Sequence, residues 1–211
     1  MKITNQMLCN KFFSDRNSDM ISASSFILIG GKSERFGSPK WRAEINGKTI
    51  VDRIWNTCQN FEHRYLVGKE LPPDVDKPFI RDILELHAPI NGLYTALNHT
   101  TTDWALLLSS DLPLIVEKIF IQLWAHIKPN RNIIIPMVHG ELQPTCAFYN
   151  KKLKDKCYSL IQNNRMSLRD LVHAVKYHAI DLSDLADYFL NMNTKKDMRV
   201  AEKILSSKKR N

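Results

Sequence analysis

Phe26-Ile27-Leu28-Ile29-Gly30-Gly31 decides the fold. Four apolar residues rich in strand formers, stopped by two glycines, read as a buried strand opening into a loop. The loop continues as Lys32-Ser33-Glu34-Arg35-Phe36-Gly37-Ser38-Pro39-Lys40. Working outward, Ile50, Val51, Ile54, Trp55 and Cys58 mark an amphipathic helix over residues 49–61, and Tyr65-Leu66-Val67 give a second strand ending at Gly68. Phe79-Ile80 start a third strand leading to Asp82. A helix over 91–99 precedes a strand over 104–108, which ends in Ser109-Ser110-Asp111-Leu112-Pro113. Ile115, Ile119, Phe120, Leu123 and Ile127 then share one helix face. Strands are predicted at 132–137, 145–149 and 178–182, and helices at 151–162, 167–175 and 195–205. Strand and helix alternate, so the fold class is α/β with a mostly parallel sheet covered on both faces.

In such sheets ligands collect beyond the carboxyl ends of the strands. That rule selects residues 30–40, 109–113 and 191–194. In the first loop, glycines let the backbone approach a ligand, successive N–H groups suit phosphate oxygens, and Arg35 and Lys40 supply charge. It is neither a Walker A loop nor a G-x-G-x-x-G loop. Asp111 is placed either to hold a magnesium ion, which takes few protein ligands, or to cap the following helix. Asn191 and Asn193 alternate onto one face, and Asn193 or Thr194 is a candidate cap for the last helix. Read alone, Asp82 beside Arg81 is an ordinary surface ion pair.

The remaining composition narrows the classes. Lys and Arg number 30 against 22 Asp and Glu, a net charge of +8, which implies an anionic partner. Half of that excess lies in residues 1–24 and 206–211, read as a loose N-terminal extension (or sequence upstream of a start at Met20) and a basic tail. A single domain is expected over 25–205. Aromatic residues are not interleaved with the lysines of 151–156, so that run reads as a solvated helix face and nucleic-acid binding is the weaker alternative. Cys9, Cys58, Cys146 and Cys157 form no C-x-x-C pair and read as reduced thiols of a cytoplasmic protein. No apolar run is long enough to span a membrane. The seven histidines show no H-E-x-x-H or H-x-x-x-H spacing, and no G-x-S-x-G elbow is present.

These motifs, in this order, resemble the molybdenum cofactor guanylyltransferases. Leu28-Ile29-Gly30-Gly31-x-Ser33-x-Arg35-Phe36-Gly37-x-x-Lys40 resembles their L-x-G-G-x-S-x-R-[MF]-G-x-x-K signature, and Asp111-Leu112-Pro113 their metal-binding D-x-P. Ala88-Pro89-Ile90-Asn91-Gly92-Leu93 is similar to G-P-L-A-G-[LI], departing at Ala88 and Asn91. Gln143-Pro144-Thr145 with Ala147 and Tyr149 resembles Q-P-x-x-A-x-Y. Asn191-Met192-Asn193-Thr194-Lys195-Lys196-Asp197 resembles N-x-N-T-P-E-D, with Lys195 in place of Pro.

The resemblance implies a Rossmann-like, three-layer nucleotidyltransferase fold. It implies transfer of GMP from Mg-GTP to the terminal phosphate of molybdenum-molybdopterin, with release of pyrophosphate. By it, Leu28, Ile29, Gly30, Gly31, Lys40, Asp82 and Asp111 contact GTP, and Asp111 holds Mg²⁺. Arg35, Lys40, Asn191 and Asn193 serve the reaction, the two asparagines near the pterin phosphate or around the metal. Related cytidylyltransferases carry A-A-G and D-x-D-T where this chain has Ile29-Gly30-Gly31 and Asn191-Met192-Asn193-Thr194, so GTP is expected over CTP. The longer loop of sugar-phosphate nucleotidyltransferases is absent. Transient contact with recipient or cofactor-biosynthesis enzymes is expected.

Overall fold

Strand β1 (Ile21–Leu28) is buried on both faces, with Ala23, Ser24, Ser25, Phe26 and Ile27 all at zero exposure. Such a strand belongs at the centre of a sheet covered on both sides. In the computed structural model, which describes residues 20–30 and 39–208, β1 holds that place. It pairs in parallel with β4 (Phe61–Gly68) on one side and β6 (Trp104–Ser109) on the other. Next to β4 lies β5 (Phe79–Arg81), also parallel. Beyond β6 come β9 (Cys146–Asn150), then β7 (Ile133–Val138) and β10 (Tyr177–Asp181). Only β9 in this row runs against its neighbours. The sheet is therefore mostly parallel, with two reversed strands: β9, which the sequence pattern does not distinguish from the others, and the two-residue β8 (Glu141–Leu142), which pairs with β7.

Neighbouring residues of the central strands feed two cores. Ile27, Leu106 and Leu108 face one, with α1 (Ile50–Thr57) and α3 (Glu117–Trp124), through Ile50, Ile54, Ile119 and Phe120. Phe26, Ala105 and Leu107 face the other. That side is closed by α2 (Pro89–His99), α4 (Lys154–Gln162) and α5 (Leu168–His173), through Leu93, Leu160 and Leu171. The last helix, α6 (Lys195–Lys208), contributes Ala201 to the first core. This period-two division of one strand between two helical layers makes the three-layer architecture.

Two sequence boundaries move, and one element is added. Residues 21–24, assigned to the extension, belong to β1: Ile21 is buried, and the Ser24 amide donates to Thr102 Oγ1 at 3.0 Å. Residues 206–208, assigned to the tail, belong to α6. There the Lys208 ammonium lies 3.4 Å from Asp187 and 3.5 Å from the centre of the Tyr188 ring, which holds the helix end. A hairpin of β2 (Glu44–Ile45) and β3 (Lys48–Thr49), not anticipated from the sequence, is joined by Asn46 (φ 52°) and Gly47 (φ 70°). Two successive positive φ values are what a two-residue hairpin turn with Asn-Gly provides.

Cys58, Cys146 and Cys157 are free and buried. Burial pushes the thiols of Cys58 and Cys157 up to about 12, so neither offers a thiolate near neutral pH. Cys9 lies outside the described residues. No helix among the described residues is long and apolar enough to cross a membrane.

Candidate active site

The parallel strands all release their chains at one edge of the sheet. The Ile29 amide donates to Val67 O at 2.9 Å, the Ser110 amide to Leu28 O at 3.1 Å, and the Asp82 amide to Gly68 O at 2.8 Å. Across the row β6–β1–β4–β5, Asp111 therefore leaves on one side of Gly30 and Asp82 on the other. Asp111 and Asp82 follow strands three spacings apart, roughly 14 Å at the usual inter-strand distance. That is room for a nucleotide lying along the edge.

Asp111 is not a helix cap. The following helix starts six residues later, at Glu117, with Val116 in the capping position. Its Oδ1 is buried and has no hydrogen-bond partner among the described residues. A buried carboxylate oxygen left unpaired is costly, and at a strand end it is an acceptor that a water, an ion or a ligand can satisfy. The Asp111 carbonyl accepts from the Met192 amide at 2.8 Å. Met192 is fully buried, and Asn191 and Asn193 on either side of it are exposed.

This bond brings the C-terminal asparagines to the metal-binding candidate. Thr194 performs the helix capping: its Oγ1 accepts from the Asp197 amide at 3.2 Å, and Asp197 Oδ2 accepts from the amides of Asn193 and Thr194. Those bonds hold the Asp197 carboxyl below the usual carboxylate range. The Asn193 side chain is left for another task, and its Oδ1 accepts from Lys40 Nζ at 2.7 Å across 153 positions of sequence. Lys40, Asn193 and Asp111 are thus linked in space. Gly31 and Arg35 lie outside the described residues.

The strand-end residues divide by role. The Ile29 side chain belongs to the core, so only its backbone faces the edge. A Cβ built on Gly30 meets nothing within 4 Å, so packing among the described residues does not require glycine there. Gly92 is different: a Cβ there would clash with Leu28 Cδ2, so its absence lets α2 lie against Leu28. The Gln143-Pro144-Thr145 stretch proves structural. The fully buried Tyr149 donates to Pro144 O at 2.7 Å, and the Ser109 amide to Thr145 O at 2.9 Å.

Asp82 does not pair with Arg81, whose guanidinium is 3.8 Å from Glu85. Half-buried, its carboxyl is pushed up by desolvation, partly offset by a hydrogen bond from Thr95. Sequence reading missed Thr95 and treated Asn91 only as a departure from a motif. Both are buried polar residues of α2 that bond to the segment carrying Asp82. Among the described residues no three His, Cys, Asp or Glu side chains gather into a metal cluster. A lone carboxylate with a free oxygen is still compatible with magnesium, which keeps several waters and binds phosphate oxygens.

The sequence pattern of the MobA-like NTP transferase domain family matches residues 25–179. The chain belongs to this family. It is a nucleotidyltransferase. A Bacillus cereus (strain AH820) protein named "Probable molybdenum cofactor guanylyltransferase" is 30% identical over 200 residues, spanning 90% of this transferase and all of that protein. Among solved structures, one is titled molybdopterin-guanine dinucleotide biosynthesis protein A, from Archaeoglobus fulgidus. It superposes with a TM-score of 0.76 at 20% identity, over 87% of the transferase and 99% of that chain. A protein from Aquifex aeolicus VF5 superposes with a TM-score of 0.70 at 31% identity, over 81% and 93% of the two chains. The mixed α/β sheet and helices of the transferase match these neighbours.

Proposed function

We propose that the transferase moves GMP from Mg-GTP to the terminal phosphate of molybdenum-carrying molybdopterin, forming the guanine dinucleotide cofactor and releasing pyrophosphate. The observation carrying this reading is the convergence of Lys40, Asn193 and Asp111 at the edge where Gly30 leaves the sheet. The name of the Bacillus cereus relative supports the choice of substrates.

Phosphoryl transfer of this kind needs charge neutralisation and in-line placement more than a strong base. Asp111, through its unpaired oxygen, would hold Mg²⁺, which when bound neutralises triphosphate charge and polarises the phosphorus under attack. The Lys40 ammonium, with Arg35, would bind phosphate oxygens, and the backbone at Gly30 and Gly31 would pass close to them. Leu28 and Ile29 would border the nucleotide. Asp82, on the far side of the edge, would accept hydrogen bonds from the N–H groups of the guanine ring. Asn193, already bonded to Lys40, would orient that ammonium, and Asn191 beside it would face the pterin phosphate. Free thiols and soluble substrates suit a cytoplasmic enzyme that hands its product to recipient enzymes.

Competition for bound Mg-GTP tests the nucleotide. Unlabelled GTP should displace it at concentrations at least about tenfold below CTP, the discrimination that one well-made charged hydrogen bond allows. Equal or better displacement by CTP would make the chain a cytidylyltransferase instead.

A further inference from the structure

Helix α2 turns two polar side chains inward, Asn91 and Thr95, one turn apart and both at zero exposure. A buried amide or hydroxyl must find partners inside the protein. Both find them in one short segment, residues 82–86. Asn91 Nδ2 donates to the carbonyls of Leu84 at 2.6 Å and Leu86 at 3.2 Å, and its Oδ1 accepts from the Leu84 amide at 3.3 Å. Thr95 Oγ1 accepts from the Ile83 amide at 3.0 Å and donates to Asp82 Oδ1 at 3.4 Å. The Asp82 amide is tied to β4 through Gly68 O at 2.8 Å.

The Asp82 carboxylate is therefore held from its own backbone, from the next amide and from one of its oxygens. The cations that precede it in the chain pair with other carboxylates: Lys69 lies 3.3 Å from Glu85, Arg81 3.8 Å from the same carboxylate, and Lys77 2.5 Å from Asp52. Among the described residues nothing hydrogen-bonds Asp82 Oδ2. A segment without helix or strand of its own, between β5 and α2, is thus fixed by one backbone bond to β4 and by the side chains of Asn91 and Thr95, and the fixed point is the carboxylate.

We propose that Asn91 and Thr95 are positioning residues that set the nucleotide selectivity of Asp82. The proposal rests on the reading of Asp82 as a guanine contact. Guanine offers two adjacent donors, the ring N1–H and the 2-amino group, and a carboxylate takes both only when its orientation is fixed. Hypoxanthine offers the N1–H alone. Asn91 stands where the resembled motif has alanine, so this part of the clamp is a property of this chain.

Equilibrium dialysis of the full chain with Mg-GTP, Mg-ITP and Mg-tripolyphosphate tests it. The wild type should prefer GTP to ITP by about tenfold, the worth of one charge-assisted hydrogen bond. Thr95→Val, nearly isosteric, should cut the preference to about twofold or less and leave tripolyphosphate affinity unchanged, while Thr95→Ser restores it. Asn91→Ala should also lower the preference. Because it strips partners from three backbone groups, the Thr95 pair is the deciding comparison. Full GTP preference in Thr95→Val, or an equal loss of tripolyphosphate affinity, would overturn the positioning role. Asp82→Asn separates the two levels: unchanged preference there means that Asp82 does not read the base, and the proposal falls with it. A lost preference in Asp82→Asn with none lost in Thr95→Val rejects the clamp and keeps the base contact.

Discussion

Asp111→Ala should lower turnover by about 10³-fold or more, the scale expected when a group holding a metal or stabilising charge in the transition state is removed. The fold should survive it. The Met192 amide bonds to the Asp111 backbone carbonyl, which alanine keeps, and no described hydrogen bond is lost at Oδ1 because none is made there. Removing a half-buried carboxylate whose Oδ1 is buried without a partner relieves a penalty, so the melting temperature of the metal-free variant should equal or exceed that of the wild type. Structural carboxylates behave in the opposite way, since their removal leaves a partner stranded. Kinetics and thermal denaturation on one preparation check both halves. Turnover at wild-type level, or loss of turnover together with a large fall in melting temperature, would remove Asp111 from the metal site.

Lys40→Ala should weaken Mg-GTP binding by about ten- to a hundredfold, in line with the loss of one ammonium from a phosphate contact. The Lys40–Asn193 bond gives this variant a second signature. Asn193→Ala leaves the ammonium in place but removes the oxygen 2.7 Å from it, so it should cost binding less than Lys40→Ala does. In the double variant the two losses should fall short of additive, because both act through one contact. Fluorescent-nucleotide titration measures all three. GTP affinity in Lys40→Ala within about twofold of wild type would mean that the loop holds its phosphates by other groups.

What can be read from the sequence follows from where each element is buried. Residues 26–29 and 104–108 are conspicuous because strands buried on both faces are written as unbroken apolar runs. The first half of β1 is hidden by Ser24 and Ser25, polar by type yet fully buried. What makes Ser24 acceptable there is Thr102, a residue 78 positions away that no local pattern can supply. The start of β4 is hidden by Glu62, His63 and Arg64, which leave that end of the strand partly exposed. The β2–β3 hairpin does carry a readable signal in Asn46-Gly47, but strands of two residues give no alternation to accompany it.

The site divides in the same way. Gly30, Lys40, Asp111 and Asn193 stand in motifs after predicted strands, so they are legible as candidates without the fold. The sequence leaves open whether Asp111 is a cap or a ligand and whether Asn193 or Thr194 caps α6. Val116 in the capping position removes the cap reading of Asp111, and the Asp197 amide donating to Thr194 Oγ1 makes Thr194 the cap of α6. Asn91 and Thr95 give no signal of their own, because a buried polar side chain on an apolar helix face is explained only by what it touches.

Pyrophosphate release tests the central claim most directly. The full chain is given each of the four nucleoside triphosphates in turn, with and without molybdenum-loaded molybdopterin, in magnesium and after its removal by chelation. Release that requires GTP, the pterin substrate and magnesium together is the predicted result. Release with CTP alone, or with GTP at the same rate whether or not the pterin is present, would contradict it.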